Sequence, residues 1–174
     1  MLFRVLSLDI ATNTGWAFTF GQVRGKFEYG VIRTNSKFSE GQRLAYFRNE
    51  LVKLLEEFRP SHVVIEDVYS GLNVKTMKLL AKYAGVAQEV CTSMIGIDAY
   101  IIHTSTVKSY FKAKNKRELF DFVVSLLGWE DSDIDFSKHN DIVDAIAQLL
   151  CFYDEVLKVR KFREEKEYGF LYEV

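Results

Sequence analysis

The chain has 174 residues, is 48% hydrophobic and carries 14 Phe and 9 Tyr, enough apolar side chain for one packed domain and too much for a disordered polypeptide. Its formal net charge of −1 gives no global basic signal, so a nucleic-acid partner would have to be held by local charge. Cys91 and Cys151 lack a second Cys or His at zinc-ligand spacing, Arg4 interrupts the apolar N-terminus, and no run approaches a membrane span. A cytoplasmic, intracellular protein with no membrane partner is expected.

Taken in order, residues 3–9, 14–21 and 23–33 are β-rich and separated by the turn signals Asn13-Thr14-Gly15 and Gly21-Gln22, which predicts three hairpin-linked strands. The period then changes. Leu44, Phe47, Leu51, Leu54, Leu55 and Phe58 recur at three and four residues, Ser39 with Gln42 offers a capping box, and Pro60 follows the end, so a helix spans 40–58. Residues 62–66 predict a short buried strand, 74–94 a helix carrying Met77, Leu80, Ala81, Ala84, Ala87 and Cys91, and 98–103 another strand. Residues 105–112 and 115–127 predict a broken helical pair. A last helix from 138 to about 160 places Ile142, Ile146, Leu149, Leu150 and Tyr153 on one face. The order predicts an α/β fold: a mixed five-stranded sheet flanked by helices, its first three strands antiparallel and its last two added through right-handed crossovers. The expected domain covers 1–157, and 158–174, charged and then apolar, is a tail of unassigned role.

Four acids carry the chemical argument. Asp9 and Glu66 each end an apolar, β-branched run, where a strand stops and hands its last side chain to a site; Asp141 and Asp144, three apart on a helix, share a face. Side-chain alternation puts Glu66 on the side of Val64 and Val68, leaving Asp67 to solvent. Asp141 has the alternative of capping the helix; His139 reads first as a surface histidine, although two residues from Asp141 it could assist a metal-bound water. Phosphodiester hydrolysis needs a nucleophilic water and a neutralised leaving oxygen, both supplied by two divalent ions about 3.5–4 Å apart. Carboxylates converging from two strand ends and a helix suit Mg²⁺, with Mn²⁺ substituting. The acids at 130–135 (Glu130, Asp131, Asp133, Asp135) lack the glycine and terminal glutamate of a calcium loop and predict a solvated loop.

Residues 104–117 hold Lys108, Lys112, Lys114, Lys116 and Arg117 and no acid, while Lys75, Lys78 and Lys82 form a second basic stripe on the helix after Glu66. Either set alone could be a solubilising face. The other face of that helix, with Met77, Leu80, Ala81, Ala84 and Gly85, is small and apolar and suits core packing.

Together the fragments resemble the RuvC-type Holliday junction resolvases of the RNase H-like superfamily, in collinear order from residue 3 to about 152. Asp9 with Gly15 is similar to the family's first-strand motif, residues 28–34 to its third strand, Glu66 to its fourth-strand glutamate, and Asp141 and Asp144, followed by Ala145, to its paired acids. Ile10-Ala11-Thr12 stands where bacterial members usually carry proline and glycine, a shortened stretch precedes the last helix, and these features resemble divergent, phage-type relatives. The resemblance implies a metal-dependent endonuclease for branched DNA, a homodimer formed through residues 74–90, and two Mg²⁺ held by Asp9, Glu66, Asp141 and Asp144. It further implies phosphate contacts by Lys108 and Lys116, joined by Lys75, Lys78, Lys112 and Lys114, and stacking of Tyr69 on an unpaired base. Alternatives are a nuclease of the same fold acting on flaps, forks or RNA, and a non-catalytic DNA-binding protein. A sugar-kinase-like reading needs a second copy of the domain, and the chain has one.

Overall fold

The structure, a computed structural model, describes residues 3–21, 27–67, 73–129 and 133–158. Strands β1 (Arg4–Asp9), β2 (Asn13–Phe20) and β3 (Glu28–Arg33) precede helix α1 (Glu40–Phe58). Then come β4 (His62–Glu66), α2 (Val74–Ile95), β5 (Tyr100–Ile102), α3 (Thr104–Phe111), α4 (Lys116–Leu126) and α5 (Phe136–Cys151), and a π-helical turn, Phe152–Val156, continues α5. The sheet order is β3-β2-β1-β4-β5, with β1 antiparallel to β2 and parallel to β4, and β4 parallel to β5. The expected five-stranded mixed sheet is present, with β1 at its centre.

Period-two alternation divides the core between the two faces. Leu6, Leu8, Val63 and Ile65 pack with α1 and α2, through Phe47, Leu51, Tyr83 and Ala87. Val5, Ala17, Val64 and Ile102 pack with α3, α4 and α5. By the same parity Ser7, Asp9 and Glu66 belong to the α5 face, and Ser7 donates there to Gln148 Oε1 of α5 at 3.4 Å. A polar strip thus begins beside the buried α5 and ends at the strand termini.

The boundaries follow local chemistry. Ser39 and Gln42 close the reciprocal capping box of α1, and Arg59 ends it in the left-handed conformation, φ 44°, ahead of Pro60. Asn115 caps α4. Helix α5 starts earlier than its apolar period suggests because Asp135 accepts from the Ser137 amide at 2.7 Å, and its α-helical turns stop at Cys151 rather than running on to 160. Asp141 therefore lies inside the helix, which removes its reading as a cap. On α2 the buried residues are Tyr83, Ala87, Val90 and Cys91. Ala84, half-buried, packs against the core cluster that holds Tyr83 and Ala87, but Leu80 is only half-buried, Ala81 and Gly85 are exposed, and a Cβ on Gly85 would meet nothing within 4 Å, so the stripe is core in part and not throughout as its composition suggested. Tyr69, Glu130, Asp131 and the tail from 159 lie outside the described residues. Among those described, no helix is long and apolar enough to cross a membrane.

Candidate active site

Asp9 is the last residue of β1 and is 4% exposed. Strand β4 ends one register step away, with Leu8 opposite Ile65, so Glu66 emerges next to it from the neighbouring strand. Asp144 comes from α5 above the same face and is 8% exposed; Asp141 lies one turn earlier and is half-buried. What lets the helix come so close is Gly15, the β2 partner of Asp9. A Cβ there would stand 2.0 Å from the Asp141 carbonyl oxygen and 2.3 Å from its carbon. The glycine of the first-strand motif is thus a steric gap into which α5 settles, carrying both acids towards Asp9.

The electrostatics record this crowding. Burial, and then the charges of Glu66 and Asp144, push the Asp9 carboxyl well above its ordinary value; a side-chain hydrogen bond with Glu66 adds to the rise and Lys116 opposes it. Asp144 is also raised by burial, with Lys116 pulling the other way and Glu66 and Asp141 reinforcing the rise. Asp141 is raised by burial against the pull of Lys116 and Arg33. Lys116 Nζ donates to Asp144 Oδ2 at 2.8 Å. Burial favours its neutral form, but Asp144, Asp9 and Glu66 outweigh burial and hold the ammonium above its usual range.

Among the described residues no three His, Cys, Asp or Glu side chains are arranged as they stand to hold a metal ion. The acids are electrostatic neighbours, with the Lys116 ammonium resting on one of them. The donor set nevertheless has the chemistry a hard divalent cation prefers: it is all carboxylate oxygen, Asp9 and Asp144 are buried, and burial with like charge disfavours the ionised acids unless a cation joins them. A shallow cleft opens here, lined by Glu66, Thr104, Lys108, Lys116, Asp144 and Gln148 among others.

The remaining expected residues fall around this cleft unevenly. Lys108 lines it; Lys112 and Lys114 are exposed on the connection from α3 to α4, and Lys75 and Lys78 are exposed in the first turns of α2. Among the described residues, Lys116 alone of the basic set forms an ion pair with one of the four acids. Asp67 pairs with His103 Nδ1 at 2.9 Å, leaving Glu66 as the acid of the cluster. The His139 ring nitrogen accepts from the Asp135 amide at 3.0 Å, at the start of α5. Two residues that sequence reading passed over belong to the site: Arg33, at the end of β3, acts on Asp141, and the Thr104 hydroxyl donates to Glu66 Oε1.

Residues 11–152 match the family model described as crossover junction endodeoxyribonuclease RuvC. The chain belongs to the RuvC family. A RuvC from Synechocystis sp. is 32% identical over 143 residues, covering 79% of this chain and 82% of the relative. Another, from Roseiflexus sp., is 26% identical over 168 residues, covering 92% and 96%. Among solved structures, T. thermophilus RuvC in complex with Holliday junction substrate matches with TM-score 0.73 at 16% identity, covering 90% of this chain and 96% of that one. The yeast mitochondrial Holliday junction resolvase Ydc2 matches with TM-score 0.61 at 18% identity, covering 95% and 84%. The likeness bears out the expected RNase H-like fold with its five-stranded mixed sheet. The RuvC match takes in Glu66, Asp141 and Asp144; Asp9 lies two residues before it. Divalent-metal dependence goes with membership of the RuvC family.

Proposed function

We propose that this chain is a homodimeric endonuclease that resolves Holliday junctions by paired phosphodiester hydrolysis, with Asp9, Glu66, Asp144 and Asp141 as its acidic residues. The observation that carries the reading is the convergence of Asp9 and Glu66, at the ends of the adjacent strands β1 and β4, with Asp144 of α5 on the same face of the sheet, where Asp9 and Asp144 are buried. An inert fold gains nothing by holding like charges together there, whereas a cation site requires it. The four acids would hold two Mg²⁺, or Mn²⁺ in their place. Such ions, when bound, make a water nucleophilic and neutralise the leaving oxygen.

The chain's own groups supply the rest. Lys108 and Lys116 flank the cleft where a phosphate would enter, and exposed Lys112, Lys114, Lys75 and Lys78 extend the positive charge along the route of a nucleic-acid backbone. Tyr69 is the proposed platform for an unpaired base at the branch point. The half-exposed Leu80 and Ala84, with exposed Ala81 and Gly85, leave α2 a small apolar surface on which a second copy could pack about a two-fold axis. Two sites related by that axis would cut two strands of like polarity. The test is cleavage of labelled four-way, three-way, flap and linear duplex DNA side by side in Mg²⁺, for wild type and Asp9→Asn. Paired cuts in the four-way junction that vanish in the variant support the reading; preferential cutting of flaps or of linear duplex would replace it with another nuclease activity of this fold.

A further inference from the structure

A glutamate ending a strand has three rotatable bonds to fix before it can serve as a ligand, and freezing them costs side-chain entropy. In this chain another element contributes to fixing Glu66. Strand β5 runs parallel to β4 with Ile102 opposite Glu66, so the chain two residues past Ile102 passes beside the glutamate as it turns into α3. That residue is Thr104, and its hydroxyl donates to Glu66 Oε1. The nominal cap of α3 is His103, which makes no side-chain capping hydrogen bond, and Thr104 Oγ1 is directed across the cleft to the acid.

Resting on the reading of Glu66 as a metal-binding acid, we propose that Thr104 is a positioning residue that orients its carboxylate for divalent-ion binding. Three features suit threonine to this. Its β-branched side chain is stiff at χ1, so the hydroxyl is aimed with little entropy to lose. It is neutral, so it fixes Glu66 without spending the negative charge that attracts a cation, unlike the ammonium that Asp144 meets in Lys116. And a hydroxyl has one proton to donate, so one hydrogen bond to Oε1 leaves Glu66 its other oxygen.

The experiment is calorimetric titration of Mn²⁺ into the full chain without DNA, for wild type, Thr104→Val, Thr104→Ala, Thr104→Ser and Glu66→Gln, with Mn²⁺ dependence of junction cleavage in parallel. Removing a group that orients a ligand typically costs 10–100-fold in metal affinity. Thr104→Val, which keeps the shape, and Thr104→Ala should each weaken Mn²⁺ binding by roughly ten-fold or more and shift half-maximal cleavage to higher Mn²⁺, with turnover largely recovered at saturation. Thr104→Ser, which keeps the hydroxyl but not the stiff branch, should recover most of the affinity that Thr104→Val loses. The proposal is overturned if Val and Ala bind Mn²⁺ as wild type while Glu66→Gln has lost it, or if Ser is as impaired as Val. Wild-type binding by Glu66→Gln would instead overturn the metal-site reading itself, and this proposal with it.

Discussion

Replacing Gly15 with alanine tests how the site is assembled more directly than replacing an acid, because it changes no charge and no ligand. The added Cβ would lie 2.0 Å from the Asp141 carbonyl oxygen, against about 3.4 Å for ordinary contact, so the backbones must part by roughly 1.4 Å. Gly15 is not among the glycines at positive φ, so the perturbation is steric and not conformational. The contact is backbone on backbone and cannot be relieved by a rotamer. Overpacking of this kind costs about 1–3 kcal/mol. The larger effect should fall on function, since retreat of α5 carries Asp141 and Asp144 away from Asp9, and a displacement near 1 Å can cost on the order of 100-fold in rate. Urea denaturation should therefore show a folded, moderately destabilised protein, and junction cleavage in saturating Mg²⁺ should fall by roughly two orders of magnitude. Gly15→Ala with wild-type stability and turnover would refute this account of how the helix is seated.

Burial and like charges raise the Asp9 carboxyl above its ordinary value, so the native state binds this proton more tightly than the unfolded chain. In chelator, its contribution to stability should fall as pH rises from 3.8 through the raised folded value. Asp9→Asn should flatten that slope, visible as a smaller loss of urea midpoint as pH rises above the ordinary carboxylate range, and an unchanged slope would count against the crowding described. Lys108→Ala and Lys116→Ala should weaken binding to all branched DNAs about equally and each lower the salt slope of log K by about 1, without moving the cut positions; binding titrations over a range of NaCl check this. Ala84→Glu, on the half-exposed face of α2, should yield monomers in sedimentation that no longer make paired cuts.

Much of this was legible in sequence because the strongest signals are periodic. Alternation in β1 and β4 assigns Asp9 and Glu66 to one face, and a three-residue step joins Asp141 to Asp144. The strand order then follows from hairpins and crossovers. What sequence could not supply was distance across elements. Nothing near Gly15 announces that α5 will rest on it, nor does the run at 104–117 reveal that Lys116 binds an acid while Lys112 and Lys114 remain exposed. Thr104 was reachable in principle: once β5 is taken as the neighbour of β4, any polar side chain just past its end becomes a candidate partner for Glu66. The apolar face of α2 was read as core because composition cannot separate a helix packed on its own domain from one with room for another copy.

The four acids differ in how they are neutralised, and this sets an order of severity among their substitutions. Asp9 is the most buried, and the charges of Glu66 and Asp144 bear on it; Glu66 has a neutral hydroxyl; Asp144 has the ammonium of Lys116; Asp141 is half-buried and feels both Lys116 and Arg33. A divalent ion gains most where the field of the acids is least compensated and water is most excluded, which is at Asp9 between its neighbours. Asp9→Asn, Glu66→Gln and Asp144→Asn should each abolish cleavage while leaving folding and junction binding intact. Asp141→Asn should retain measurable turnover that rises with Mg²⁺, because its charge is the most screened of the four. Single-turnover cleavage across a Mg²⁺ series distinguishes the cases. An Asp141→Asn protein as inactive as Asp9→Asn at saturating Mg²⁺ would show that proximity to the reacting phosphate, rather than electrostatic compensation, governs what each acid contributes.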